Sequence, residues 1–201
     1  DESVEDDLFP RHFIHQIGTP SNYQGPATFF GPDGNPNLIK PIGLETDEKI
    51  ENFYNIEKEI NPDTGRPSRK VLDATFSGIP DELKEAIRNF ILNIIVRKLR
   101  GHINQHNTMM INIHYLTKVN NALTTEVRIY LEELKRACNS FYKLPYSSAI
   151  KNRHISDLEE TFNKEFLNKG IQIAERDDGF KDILKNLNLS KTIETLSINF
   201  H

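Results

Sequence analysis

The chain has 201 residues, of which 37% are hydrophobic and 27% charged, so it suits one ordinary domain or two small ones rather than a disordered polymer. A formal net charge of −4 argues against a dedicated nucleic-acid coat protein but leaves room for a local basic face. Cys138 is the only cysteine, which excludes an internal disulfide. This fits a reducing cytoplasm, so we expect a cytoplasmic protein. No apolar run approaches the roughly 20 residues of a membrane span, so we expect no membrane partner.

Residues 1–45 hold six of the ten prolines and half of the glycines. Clusters such as Gly31–Pro36 predict turns, while recurring aromatic residues predict an ordered strap that packs on the body. Next, Thr46 caps a predicted helix that runs to Ile60. A polar loop, Asn61–Lys70, and a short extended piece, Val71–Phe76, complete this region.

The strongest predicted helix begins at Pro80, where a proline and two acids suit the exposed amides of a first turn. Gly101 ends it after a basic last turn. The apolar run Met109–Tyr115 predicts a strand, and Lys118–Tyr142 a long helix. The inward residues of these two helices are predicted from their spacing: Leu83, Ala86, Ile87, Phe90, Ile91, Ile94, Ile95 and Leu99, then Val119, Ala122, Leu123, Val127, Tyr130, Leu131 and Leu134.

Four further elements are predicted towards the C-terminus. They are a helix from Ser156 to Asn168 with Ser156 as its cap, a strand Ile171–Ala174, a helix Asp177–Leu187 and a strand Thr192–Phe200. The order of elements predicts a helix-rich α/β fold with a small mixed or parallel sheet. That sheet is built around Met109–Tyr115 and the last strand. We divide the chain into residues 1–78, a strap with a helical insert, and 79–201, an α/β core fragment.

The chain lacks both common glycine-rich phosphate loops, so this piece carries no usual nucleotide cradle. Metal-dependent nucleases need carboxylates around a divalent ion and a lysine near the attacking water. Asp73 followed by Glu82 and Lys84 supplies those residue types, and so does the pair Glu133 and Lys135. Acids at a helix start and charges on a helix surface are ordinary without any catalysis, and that interpretation is favoured here.

Two other sets of side chains could carry chemistry. His102 and His106 are four residues apart and could share a zinc on a helix, but they follow the Gly101 break, so no metal site is predicted. His114 is a weak candidate for a catalytic or phosphate-contacting residue, because it lies near the end of the predicted strand. Basic side chains are the candidates for phosphate or interlobe contacts: Arg97, Lys98 and Arg100, with Arg69 and Lys70. Arg88 accompanies the first three on the helix, opposite its apolar stripe or at its end, and Arg66 accompanies the last two in the preceding loop. Basic residues near a helix C-terminus are also favoured without any ligand, and that interpretation is preferred.

Several short matches in order resemble the bacterial Z-one (Z1) domain proteins. They cover most of the chain, best in residues 7–31 and 79–135. They are Asp7–Arg11, Phe13–Ile14, Tyr23, Phe29–Gly31, Ile79–Pro80, Leu83, Ala86–Ile87, Phe90–Leu92, Arg97, Leu99–Gly101 and Thr108–His114. The family strand usually carries a serine after its histidine. Here the nearest hydroxyl is that of Thr117.

The resemblance implies a helicase-like ATPase related to superfamily II, encoded beside DNA methyltransferases, restriction endonucleases and heat-shock-type ATPases, and described as an endonuclease. It implies that ATP and Mg²⁺ serve the full-length protein while the fragment itself holds no cofactor. The ATP-binding motifs would precede Asp1 and an arginine-containing motif would follow His201. The chain would then be a helical insert plus part of the second motor lobe.

We therefore expect a fragment of a DNA-processing protein of a restriction–modification or phage-defence system. It would be catalytically weak alone and would contribute contacts to DNA or to the other lobe. Its expected partners are DNA, the rest of its own polypeptide and restriction–modification proteins. The alternatives are a protein-docking module that touches no nucleic acid and a free-standing metal nuclease.

Overall fold

The computed structural model describes residues 25–34, 39, 54–102, 106–111, 117–173 and 179–189. The chain divides into two compact units, residues 1–41 and 42–201. In the first unit, helix α1 (Pro26–Phe30) begins with a proline, whose fixed φ suits a first turn. The amide of Gly34 then donates to the carbonyl of Gly31 at 2.9 Å, so the predicted turn is confirmed there. The rest of the predicted strap lies outside the described residues.

The first described elements of the second unit are the strands β1 (Tyr54–Ile60) and β2 (Pro67–Phe76), which form an antiparallel hairpin. The predicted helix over 46–60 is therefore wrong for residues 54–60, and residues 46–53 lie outside the description. Between the strands, Asn61 Oδ1 accepts from the amides of Asp63 and Thr64 at 2.9 and 3.2 Å. This side-chain turn reverses the chain and brings the predicted extended piece, now part of β2, alongside β1.

Helix α2 (Asp81–Leu99) is confirmed, with Pro80 as its N-terminal boundary. Its buried face contains Ile87, Ile91 and Ile95, as predicted, and also Leu92 and Val96. Ala86 is exposed rather than inward. Gly101 follows with φ +82°, a left-handed conformation that costs glycine little, and it ends the helix as predicted.

Residues Met109–Ile111 do not form the predicted strand, and Asn112–Tyr115 lie outside the described residues. Burial does alternate here, since Met109 and Ile111 are half-buried against the core while Met110 is 86% exposed. An alternating pattern makes a strand only when a neighbouring strand accepts its backbone hydrogen bonds. None of the described residues pairs with this segment.

Helix α3 (Thr117–Phe141) confirms the long predicted helix. Val119, Leu123, Val127, Tyr130 and Leu134 are buried as predicted, and β2 packs against this helix. The ammonium group of Lys118 donates to the carbonyls of Val71 and Leu72, which fixes the hairpin to the start of α3.

Two short helices and one longer one complete the described fold. They are α4 (Tyr146–Ala149), α5 (Arg153–Phe162) with a π-helical turn (Asn163–Leu167), and α6 (Phe180–Lys185). Asn152 rather than Ser156 caps α5, because its side chain accepts from the amides of His154 and Ile155. The predicted strand at 171–174 has no pairing in its described part, 171–173.

The predicted helix Asp177–Leu187 is shorter in the structure, where it spans Phe180–Lys185. Gly179, with φ +64°, precedes α6, so the helix predicted from Asp177 begins at Phe180. Residues 177–178 and the predicted last strand, Thr192–Phe200, lie outside the described part of the chain. None of the described helices has the length and apolar character needed to cross a bilayer.

The architecture is thus helix-rich with a small sheet, which agrees with the broad α/β prediction. The sheet seen in the described residues is antiparallel, so the predicted mixed or parallel sheet is wrong there. Helices α2, α3 and α5 surround one core, to which α6 adds Ile183 and Leu184. Burial of this apolar surface is the main stabilising contribution to the fold. The boundary at residue 78 stays a prediction.

Candidate functional site

The acidic candidates for catalysis lie on two separate elements. Asp73 is exposed on β2, opposite Glu57 of β1, while Glu82 and Lys84 lie in the first turns of α2. The ammonium group of Lys84 is 2.8 Å from Asp81 Oδ1, and this hydrogen bond lowers the pKa of the Asp81 carboxyl. In the structure Lys84 therefore forms an ion pair with Asp81, the first residue of α2. Catalytic roles for these residues stay predictions.

Two of the predicted phosphate-contacting arginines are engaged within the protein. Arg97 Nη1 donates to Asn107 Oδ1 at 2.5 Å. Arg100 Nε donates to the carbonyl of Ile173 at 3.2 Å, and its Nη2 donates to that of Gln172. The end of α2 is thereby joined to two irregular segments. Contacts from these arginines to DNA or to a second lobe stay predictions.

The other sequence-derived candidates are exposed or undescribed. Lys98 is exposed, and Lys70 forms an exposed ion pair with Glu59 at 3.0 Å. The side chain of Arg69 and all of His114 lie outside the described residues. His102 and His106 are exposed. Over the described part of the chain, no three His, Cys, Asp or Glu side chains form a group that could hold a metal ion.

Arg88 differs from the sequence expectation, because its side chain points between helices and is only 14% exposed. Its Nε donates to Thr161 Oγ1 of α5 at 2.8 Å, and its Nη1 donates to the Tyr130 hydroxyl of α3 at 3.2 Å. Nη1 also lies 3.9 Å from Asp157 Oδ2. One guanidinium group therefore connects all three core helices.

The surroundings of this cluster are largely buried. Burial raises the pKa of Tyr130, whose ring lies 6.2 Å from the His154 ring. Nδ1 of His154 is buried, and no hydrogen-bond partner for it occurs among the residues that the structure describes. The Thr161 hydroxyl itself donates to the Asp157 carbonyl at 2.8 Å. The hydrogen bonds of Arg88 thus satisfy polar groups inside the helix interface, which is a structural role.

A second feature is an open groove of about 680 Å³ where the turn after α3 meets α6. We call it the lysine–tyrosine groove. Its lining combines basic, aromatic and apolar side chains. It is lined by Tyr142, Lys143, Leu144, Pro145, Tyr146, Lys181, Leu184 and Lys185.

The cations of the groove lie close to its rings. Lys143 Nζ is 5.4 Å from the centre of the Tyr142 ring, and Lys181 Nζ is 6.0 Å from that of Tyr146. Lys185 is engaged with Asp182 at 2.9 Å. Among the three lysines of the groove, Lys143 and Lys181, both exposed, are therefore those whose positive charge is most available to an anion.

Both rings are held by their hydroxyl groups. The Tyr146 hydroxyl donates to Glu159 Oε1 at 2.6 Å, and this bond to a carboxylate raises the pKa of the phenol. The Tyr142 hydroxyl accepts from Asn188 Nδ2 at 3.5 Å. The short bond to Glu159 orients the Tyr146 ring, whereas the longer contact with Asn188 restrains Tyr142 only weakly.

The sequence contained a signal for this groove that single motifs did not reveal. Between Glu133 and Asp157 there are five lysines and arginines and no acid, in a chain whose net charge is −4. That stretch supplies Lys143 and both tyrosines. The contribution of Lys181 came from a distant segment, so only the fold could bring the two lysines together.

Fold and groove together define a helix-rich module with a basic, aromatic surface beside its core. Residues 82–200 match the family model of the Z1 domain, and this is more than half of the chain. The chain therefore belongs to the Z1 domain family. The match contains both the Arg88 cluster and the lysine–tyrosine groove. The comparison with curated proteins gave no match, and neither did the comparison with solved structures.

Proposed function

We propose that this Z1 domain binds DNA phosphates through the lysine–tyrosine groove as part of a larger DNA-processing protein. The single observation that supports the proposal is the placement of Lys143 and Lys181 beside one groove. Ammonium groups attract phosphates, and each phosphate they neutralise releases a condensed counterion. A compact basic surface on an otherwise acidic chain therefore favours an anionic polymer as its ligand.

The wider context follows from the family resemblance. We propose that the full-length protein is a helicase-like endonuclease of a restriction–modification or phage-defence system. ATP and Mg²⁺ would bind to that protein outside this groove. The described residues are assigned no part in nucleotide hydrolysis. Arg97 and Arg100 would then act indirectly, by shaping the end of α2.

The test is DNA binding by the 201-residue chain across a series of salt concentrations. We expect affinity to fall steeply as salt rises, and each of Lys143→Gln and Lys181→Gln to reduce the slope of log affinity against log salt by about 1. Arg128→Gln is the matched control, because it removes one exposed charge on α3, about 20 Å along this helix from its last residue, Phe141. It should leave the slope unchanged.

Two outcomes would contradict the proposal. Absence of binding at low salt would favour a protein-docking module instead. Equal losses in Arg128→Gln and the groove variants would show that the total charge, rather than the groove, determines binding.

A further inference from the structure

We infer that the lysine–tyrosine groove takes unpaired nucleotides, so that its ligand is single-stranded rather than duplex DNA. This inference rests on the proposed function and adds the form of the substrate. It starts from the apolar and aromatic side chains that line the groove, which a purely electrostatic surface would not need. Leu144, Pro145 and Leu184 contribute apolar surface to its lining, and Tyr142 and Tyr146 contribute two aromatic rings.

Aromatic rings recognise bases by stacking, and stacking needs an exposed base face. In a duplex the base faces are covered by neighbouring pairs, so a duplex would present only phosphates to Lys143 and Lys181. Tyr142 and Tyr146 would then contribute little. A single strand can place a base against a ring and a phosphate against the nearby ammonium group at the same time.

The distances between the lysines and the tyrosine rings allow a base to contact a ring while a phosphate contacts the lysine beside it. Each lysine nitrogen lies 5.4–6.0 Å from the centre of the ring it accompanies. Lysine stems are flexible, so the ammonium group can leave the ring face when a base stacks there. The cation–π contact of the free protein is then exchanged for a base–ring contact and a phosphate pair.

One of the two rings is oriented for stacking before any ligand arrives. The Tyr146 hydroxyl is bonded to Glu159, so less side-chain freedom of this ring is lost on binding. The bond holds the hydroxyl end of the ring.

The experiment compares a thymidine homopolymer of about 20 nucleotides with a duplex of the same length at one low salt concentration. We expect the single strand to bind more tightly. Tyr142→Leu and Tyr146→Leu should each weaken single-strand binding roughly tenfold and leave duplex binding unchanged. Tyr146→Phe is the conservative control, because it retains the ring and loses only the hydrogen bond to Glu159, so it should retain most of the affinity.

Intrinsic fluorescence provides a second measurement. The chain contains six tyrosines and no tryptophan, so tyrosine emission can be followed directly. Stacking predicts quenching by the single strand that is smaller in Tyr142→Leu and Tyr146→Leu. Circular dichroism of each variant verifies that it is folded.

The results separate the two proposals. Salt-dependent binding of duplex as tight as that of the single strand, with the leucine variants unaffected, would overturn this inference and leave the phosphate-binding function in place. Failure of both DNA forms to bind would overturn both. A uridine homopolymer bound more tightly than the thymidine one would overturn the assignment to DNA.

Discussion

Replacement of Arg88 by methionine tests whether the buried guanidinium group holds the three core helices together. Methionine retains an unbranched apolar stem of similar length, so packing along the stem is largely kept. What is lost is the donor to Thr161, the donor to Tyr130 and the charge 3.9 Å from Asp157.

The expected loss can be worked out from these contacts. Hydrogen bonds that involve a charged group contribute about 1.5–3 kcal/mol each. Removing a mostly buried charge recovers part of its desolvation cost, which offsets some of that loss. Thr161 keeps its bond to the Asp157 carbonyl, whereas the buried Tyr130 hydroxyl loses its described donor. The net expectation is a decrease of about 2 kcal/mol in the free energy of unfolding.

The assay is urea unfolding followed by far-ultraviolet circular dichroism. Arg128→Met is the control, because Arg128 is exposed on α3 and should change stability by less than about 0.5 kcal/mol. Tyr130→Phe completes a double-mutant cycle, with an expected coupling to Arg88 of about 1 kcal/mol. An Arg88→Met variant as stable as the unaltered chain, or more stable, would refute this reasoning.

Two further predictions concern a helix cap and a buried thiol. Asn152→Ala should destabilise the fold by about 1 kcal/mol, while Ser156→Ala should have almost no effect, and equal effects in urea unfolding would contradict the observed cap. Burial raises the pKa of Cys138 from 9.0 to about 12, so the unfolded chain releases this proton first. The contribution of Cys138 to stability is therefore fully present below about pH 9 and is lost, by on the order of 1 kcal/mol per pH unit, as the pH rises towards about 12. Cys138→Ala should flatten this fall, measured by urea unfolding at about pH 8 and about pH 10, and an unchanged slope would contradict the assignment.

The sequence correctly predicted those helices that are specified by the spacing of their own apolar residues and by their own boundary residues. Helices α2 and α3 repeat apolar residues at helical spacing over many turns, and the start at Pro80 and the stop at Gly101 are local signals too. The sequence-based predictions were wrong for segments whose secondary structure depends on pairing with another segment. Apolar and polar residues alternate over residues 54–60, as in a strand. The segment becomes a strand because the turn at Asn61 brings β2 alongside as its hydrogen-bonding partner. Met109–Ile111 also shows alternating burial, but it forms no strand because no described segment pairs with it.

The candidate site was harder to predict because it depends on which segments meet. The sequence indicated that basic residues near α2 were exposed, yet Arg88 is directed inward to acceptors on two other helices. The groove joins residues 142–146 with residues 181–185. Their separation in the chain conceals the site, and only the local excess of basic residues before Asp157 indicated it.

Cross-linking of DNA to the folded chain tests the central claim most directly. The probe is a thymidine homopolymer that carries photoreactive bromodeoxyuridine, and tryptic mass spectrometry locates the adduct. The account predicts adducts in the peptides Ala137–Lys143 and Leu144–Lys151, which contain Tyr142 and Tyr146. Adducts confined to the hairpin or to the end of α2 around Arg97 and Arg100, with none in those two peptides, would contradict it.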